Sequence, residues 1–243
     1  MSSDLYMPRR GFARRPAVGN ACGVASRALV AGLVAITSAA CGATVPPPED
    51  PSEAELNPRV LDLIATYPAG GFGGYAWPAP PGTAGTTRDL AVGTDVIAHG
   101  GPGNHCVGIT LEVLWRALAE CPGGVDAALT AATAPAFKRV WYVPAVGGAG
   151  SAEALPAFGL GARLALADAR PGDFVQAWRF DGLGHSMVFL GWDRDAAGTI
   201  TGIRYWSSQP WTDGIGESST AVGAGDGAFD PAQIYIARAR CRR

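Results

Sequence analysis

The chain reads as an α+β protein, and three observations lead there. Apolar residues at helical spacing dominate up to about residue 166. Short runs separated by turn residues follow from residue 171. Seven tryptophans and regular apolar runs supply a core despite 34 glycines and 19 prolines. Helices first and strands later are segregated elements, the pattern of an α+β domain.

The elements follow in order. Arg9, Arg10, Arg14 and Arg15 precede a short apolar run over 28–40, which ends in Ser38-Ala39-Ala40 before Cys41-Gly42. A basic stretch, a short apolar stretch and small residues form an export signal, here residues 1–40. Small residues before Cys-Gly resemble the lipobox of bacterial lipoproteins, which makes Cys41 the expected lipid anchor. Ser38 stands where that pattern usually has Leu, so ordinary signal cleavage near Ala39 or Ala40 is the alternative. Arg9-Arg10-Gly11-Phe12 also resembles a twin-arginine signal. Residues 41–52 contain Pro46-Pro47-Pro48-Glu49-Asp50-Pro51, a Pro-rich and acidic tether that resists packing. The folded domain is expected over 53–243.

Residues 53–67 predict a helix, with Leu56, Val60, Leu61, Leu63 and Ile64 on its apolar face. Pro68 and the glycines after it end that helix. A long loop follows over 69–104, with Tyr75 and Trp77 packed over the domain and Thr86 expected to cap a short helix. Residues 107–119 predict the clearest helix, stopped by Pro122-Gly123-Gly124. Residues 126–166 predict two or three short helices, an insertion or a lid, broken by Pro144 and the glycines at 147 and 148. Pro171-Gly172-Asp173 then launches an antiparallel meander of strands over 174–180, 185–192 and 199–208, with a last strand over 233–239 expected at the edge.

Charge narrows the partners. The chain has 19 basic and 21 acidic residues. Residues 1–40 hold five arginines and one aspartate, leaving 14 basic and 20 acidic residues, a net charge of −6, for the rest. No basic patch remains for nucleic acid. Of five cysteines, Cys22 lies in the leader and Cys41 is the expected anchor. In an oxidising compartment the other three could pair and leave one free. Pairing Cys121 with Cys241 would pin the tail to the helix that Cys106 opens, with Cys106 as the odd thiol.

Cys106 carries the chemistry. It sits where a Gly-rich loop, Gly103-Asn104-His105, gives way to an amphipathic run. A thiol at a helix start meets the positive end of the helix dipole, which lowers its pKa and favours the nucleophilic thiolate. His185 heads the strand Gly184-His185-Ser186-Met187-Val188-Phe189-Leu190-Gly191 and is the candidate base. With an ordinary pKa of about 6.5 it can take the thiol proton and return one to a leaving amine. A third residue should orient the ring. Gln209 has the reach and a carbonyl acceptor, with Ser207 on the same strand face as the alternative. His105 reads as a loop or cap residue. Arg88 and Asp89 read as a salt bridge or a cleft wall. A metal site from His99, His105 and Cys106 has irregular spacing and no second cysteine pair.

Cys106 on a helix, then Pro171-Gly172-Asp173-Phe174-Val175, then Gly184 to Gly191 in that order, resembles the NlpC-type cell-wall peptidases and the related CHAP-type amidases. The likeness covers residues 104–209. His105 and Val107 stand where the family commonly has Asp and Ser, and its usual Tyr and Trp-Gly-Gly motif is not contiguous here. The chain therefore resembles a distant branch. The resemblance implies a papain-like fold and a cell-envelope cysteine hydrolase acting on an amide, such as one in peptidoglycan stem peptides, through a thioester and without a cofactor. A transferase would use the same residues. The alternative from another class is an inactive lipoprotein that binds wall fragments or a protein partner, held to a membrane by its anchor.

Overall fold

The structure is a computed structural model that describes residues 55–242. The expected leader, the tether, Cys22 and the Cys41 anchor lie outside the described residues. α1 (Asn57–Ile64) opens with Pro58 in its first turn, where the missing N–H costs nothing. It is shorter than the expected 53–67 because its flanks have other partners. Leu56 N–H donates to the Ala239 carbonyl at 3.0 Å, and Thr66 Oγ1 donates to the Leu63 carbonyl at 2.6 Å just past the helix end.

The helix expected after Thr86 is instead a hairpin of β1 (Leu90–Val92) and β2 (Asp95–Ala98). Gly93 and Thr94 make its two-residue turn, with Gly93 at φ +56°, where a glycine is favoured. Thr86 bridges Gly100 and does not cap a helix.

α2 (Cys106–Ala119) is buried on nearly every side, as its apolar composition requires. Its one buried acid, Glu112, is fully satisfied. It accepts from Tyr67 Oη at 2.8 Å, from the Thr87 N–H and hydroxyl at 2.6 and 2.7 Å, and from Arg88 Nε at 3.1 Å. Three short helices follow, α3 (Gly124–Ala128), α4 (Ala134–Trp141) and α5 (Ser151–Ala157). They are part of the main core. Phe137 and Trp141 are fully buried, and Trp141 meets Phe174 of the sheet edge-on at 5.3 Å.

The sheet comprises β3 (Gly161–Leu164), β4 (Phe174–Arg179), β5 (Gly184–Arg194), β6 (Ile200–Gln209), β7 (Gly214–Ala221) and β8 (Phe229–Ala239), all antiparallel, in the order β3-β8-β4-β5-β6-β7. The meander β4 to β6 agrees with the turn signals. The last strand does not lie at the edge: β8 runs between β3 and β4. Two edge strands were not anticipated. β3 is only four residues long, and β7 reads Gly-Ile-Gly-Glu-Ser-Ser-Thr-Ala, with too few apolar side chains to announce itself.

Two ties hold the ends of this layout. Pro171-Gly172-Asp173 is a structural knot. Buried Asp173 accepts from Asn57 Nδ2 at 2.8 Å, from the Arg170 N–H at 2.7 Å and from Arg238 Nε at 2.9 Å. Gly172 lies at φ +92°, and a Cβ there would come within 2.7 Å of the Asn57 carbonyl. A disulfide joins Cys121 to Cys241 across 120 residues, and Cys106 is the free thiol among the described cysteines.

Candidate active site

The site forms where two strands part. β5 and β6 pair from Arg194 and Ile200 back to Val188 and Trp206. Beyond that point β5 keeps its ladder with β4 through Met187, Ser186, His185 and Gly184. β6 keeps its ladder with β7 through Ser207, Ser208 and Gln209. The inner backbone groups of this fork need other partners. Ser207 Oγ donates to the Ser186 carbonyl at 2.6 Å. The Ser186 N–H faces the sulfur of Cys106. The first turn of α2 thus ends in the fork, and its thiol stands where a strand partner is missing.

Local sequence builds that first turn. His105 is the N-cap, and its Nδ1 accepts the Gly108 N–H at 3.2 Å. This fixes the proton of the neutral ring on Nε2. Gly85, at φ +66°, lies flat against the ring, and a Cβ there would come within 2.1 Å of it. Asn104, just before, is stitched to the preceding loop. Its N–H donates to the Gly74 carbonyl at 3.0 Å, and its carbonyl accepts from Ala76 N–H at 2.8 Å. This brings Tyr75 and Trp77 beside the nucleophile.

Continuing the β5–β6 register toward the start of β5 puts Gln209 opposite His185. Both line one cavity of about 390 Å³ together with Cys106. Gln209 Nε2 donates to Thr212 Oγ1 at 2.8 Å and to the Gly216 carbonyl at 3.2 Å. The second acceptor has no hydrogen to give, so the amide orientation is fixed and Oε1 is left as an acceptor. That Oε1 and His185 Nε2 are both buried and have no hydrogen-bond partner. A ring N–H and a carbonyl oxygen are complementary, and the Gln209 side chain favours the protonated ring. Ser207 is committed to the Ser186 carbonyl and does not orient His185.

Burial sets the protonation states. It pushes the Cys106 thiol above its ordinary value, while the N–H groups of Ser186, Val107 and Cys106, and then Arg179, act the other way without cancelling it. The expected lowering at the helix start is therefore overturned in the free protein, because Cys106 is only 7% exposed and the thiolate loses its water. Burial likewise pushes His185 down to about 3, with Arg179 acting in the same direction. The resting pair is a neutral thiol and a neutral imidazole.

The other expectations sort clearly. Arg88 pairs with Glu112 at 3.1 Å and His99 with Asp89 at 3.5 Å, and none of the four lines the cavity. Among the described residues no three His, Cys, Asp or Glu side chains are placed to hold a metal. Trp206 is core, packed on Tyr67 at 5.4 Å, while Trp211 lines the cavity. Tyr142, Trp178 and Arg179 were missed as cavity residues. Only the last two carried a signal, being adjacent on the strand before His185. No protein-family model, curated protein or solved structure matches the chain.

Proposed function

We propose that the protein is a papain-like cysteine hydrolase of the cell envelope that cleaves an amide bond of peptidoglycan stem peptides through a thioester on Cys106. One observation carries this reading. A free thiol on the first turn of a helix shares a cavity with a buried imidazole, and that ring's unpaired nitrogen has an unpaired carbonyl oxygen as its complement.

The steps follow from the arrangement. The sulfur attacks the amide carbonyl as its proton passes to His185. The oxyanion meets the free N–H groups at the start of α2. The intermediate collapses, the C–N bond breaks, and the amine leaves with the proton from His185. Water, deprotonated by the same ring, then attacks the thioester and frees the acid and the thiol. Gln209 keeps the ring oriented and steadies its positive charge in both halves. Substrate entry expels water and favours this direct proton transfer over a standing ion pair.

Cys106→Ala and His185→Ala are expected to lower kcat by about 10⁴-fold or more while leaving the circular dichroism and melting profile intact. Muropeptide turnover measured by chromatography is the check. Folded variants that retain wild-type turnover would sink the proposal. A second reading has a specific observation behind it. The neutral resting pair also suits an inactive module that binds wall fragments. Muropeptide binding by calorimetry with no turnover by the wild type would select it.

A further inference from the structure

The cavity that holds Cys106 and His185 carries one charge. Among the described residues, Arg179 at the end of β4 is the only charged side chain lining it, and no Asp or Glu does so. Its guanidinium is fixed by three contacts. Nε donates to the Gly227 carbonyl at 2.8 Å, and the group lies 4.9 Å over the Phe229 ring and 6.0 Å from that of Trp211. Its terminal nitrogens have no acidic partner among the described residues. A guanidinium held by rings and one carbonyl keeps its planar fork free for a carboxylate. It is near enough to act on both Cys106 and His185. Apart from Gln176, Gln209 and the Cys106 and His185 groups, the side chains of the wall are aromatic or apolar. Trp77, Leu183 and Trp211 remain 62%, 61% and 56% exposed at the mouth.

We infer that the substrate carries a carboxylate close to its scissile amide, bound by Arg179, and an apolar group that covers the aromatic mouth. This rests on the hydrolase reading for the word amide, but the recognition itself does not. An anion seated there neutralises the cation that opposes protonation of His185. Binding the correct substrate therefore eases the proton transfer it needs, and an uncharged analogue gains no such help.

The test uses two reagents that differ only in that charge, iodoacetate and iodoacetamide. Each forms an S–C bond at Cys106 and releases iodide, and the thiol proton leaves to His185 or water. Rates are read by peptide mass spectrometry on the folded protein. The wild type is expected to react with iodoacetate at least tenfold faster than with iodoacetamide. Arg179→Gln is expected to reduce that ratio at least tenfold, whatever change it makes to both rates in common, and Arg179→Lys to restore part of it. Added salt should also lower the wild-type ratio, a reading that needs no variant. A ratio unmoved by Arg179→Gln, or in its place by salt if that variant does not fold, overturns the inference. So does failure of either reagent to reach Cys106. A preserved ratio in a protein that turns over no peptide would leave carboxylate recognition standing and remove the hydrolase reading alone.

Discussion

Two buried histidines dominate the chemistry at the scale of single residues, and both are held neutral. Burial takes His105 down to about 4 and His185 to about 3, from 6.5. Both values are depressed, so the unfolded chain binds these protons first. The stability they contribute is complete above about pH 6.5 and is lost as pH falls toward the folded values. Each should cost about 2 kcal/mol by about pH 5. Urea unfolding between neutral pH and that point is expected to show the fall, and His105→Asn to remove roughly half of it. A flat profile would contradict the burial argument. Cys106, His185 and Gln209 were legible as residue types at characteristic places, a helix start, a strand start and a strand end. Their protonation was not legible, because it depends on how much water the fold leaves around them.

The fork between β5 and β6 is the element that makes a site out of those residues. Two strands that run on without pairing leave backbone groups inside the protein, and one hydroxyl and one thiol meet them. Ser207→Ala strands the Ser186 carbonyl and is expected to cost about 1–3 kcal/mol. It should also alter the alkylation rate of Cys106, since the strand that faces the sulfur loses its anchor. Chemical denaturation paired with thiol labelling measures both, and a change in neither would mean that water replaces the hydroxyl freely. Strong apolar runs announced α2, β4, β5 and β6. β7 went unread because only Ile215 secures it in the core, and the hairpin at Gly93 because its strands are three and four residues long. The segment over 126–166 has the broken helices its prolines and glycines indicate, yet Phe137 and Trp141 hold it in the core.

On the scale of the whole molecule, a covalent bond and a buried carboxylate fix the far end of the chain. The Cys121–Cys241 bridge closes a loop of 120 residues. Chain-entropy arguments put its worth at about 4–5 kcal/mol. Cys121→Ser with Cys241→Ser is expected to lower the urea midpoint by that equivalent while Cys106 stays free, as thiol counting would verify. Unchanged stability would place the tie between α2 and the tail in noncovalent packing. Cysteine counting raised this pairing as one possibility, since both positions flank recognisable elements. The sheet order lay beyond reach of any local pattern, because β8 and β4 meet only through residues far apart in sequence.

That sheet order bears on synthesis. A ribosome emits β3 to β7 first, and the strand that belongs between β3 and β4 follows them. Until it emerges, β3 has no neighbour, β4 shows an open edge, and Asp173 waits for Arg238. Until β8 arrives the sheet is unfinished, and its open edges are of the kind that a chaperone shields. The sheet against which Cys106 packs is therefore complete only after β8 has taken its place between β3 and β4.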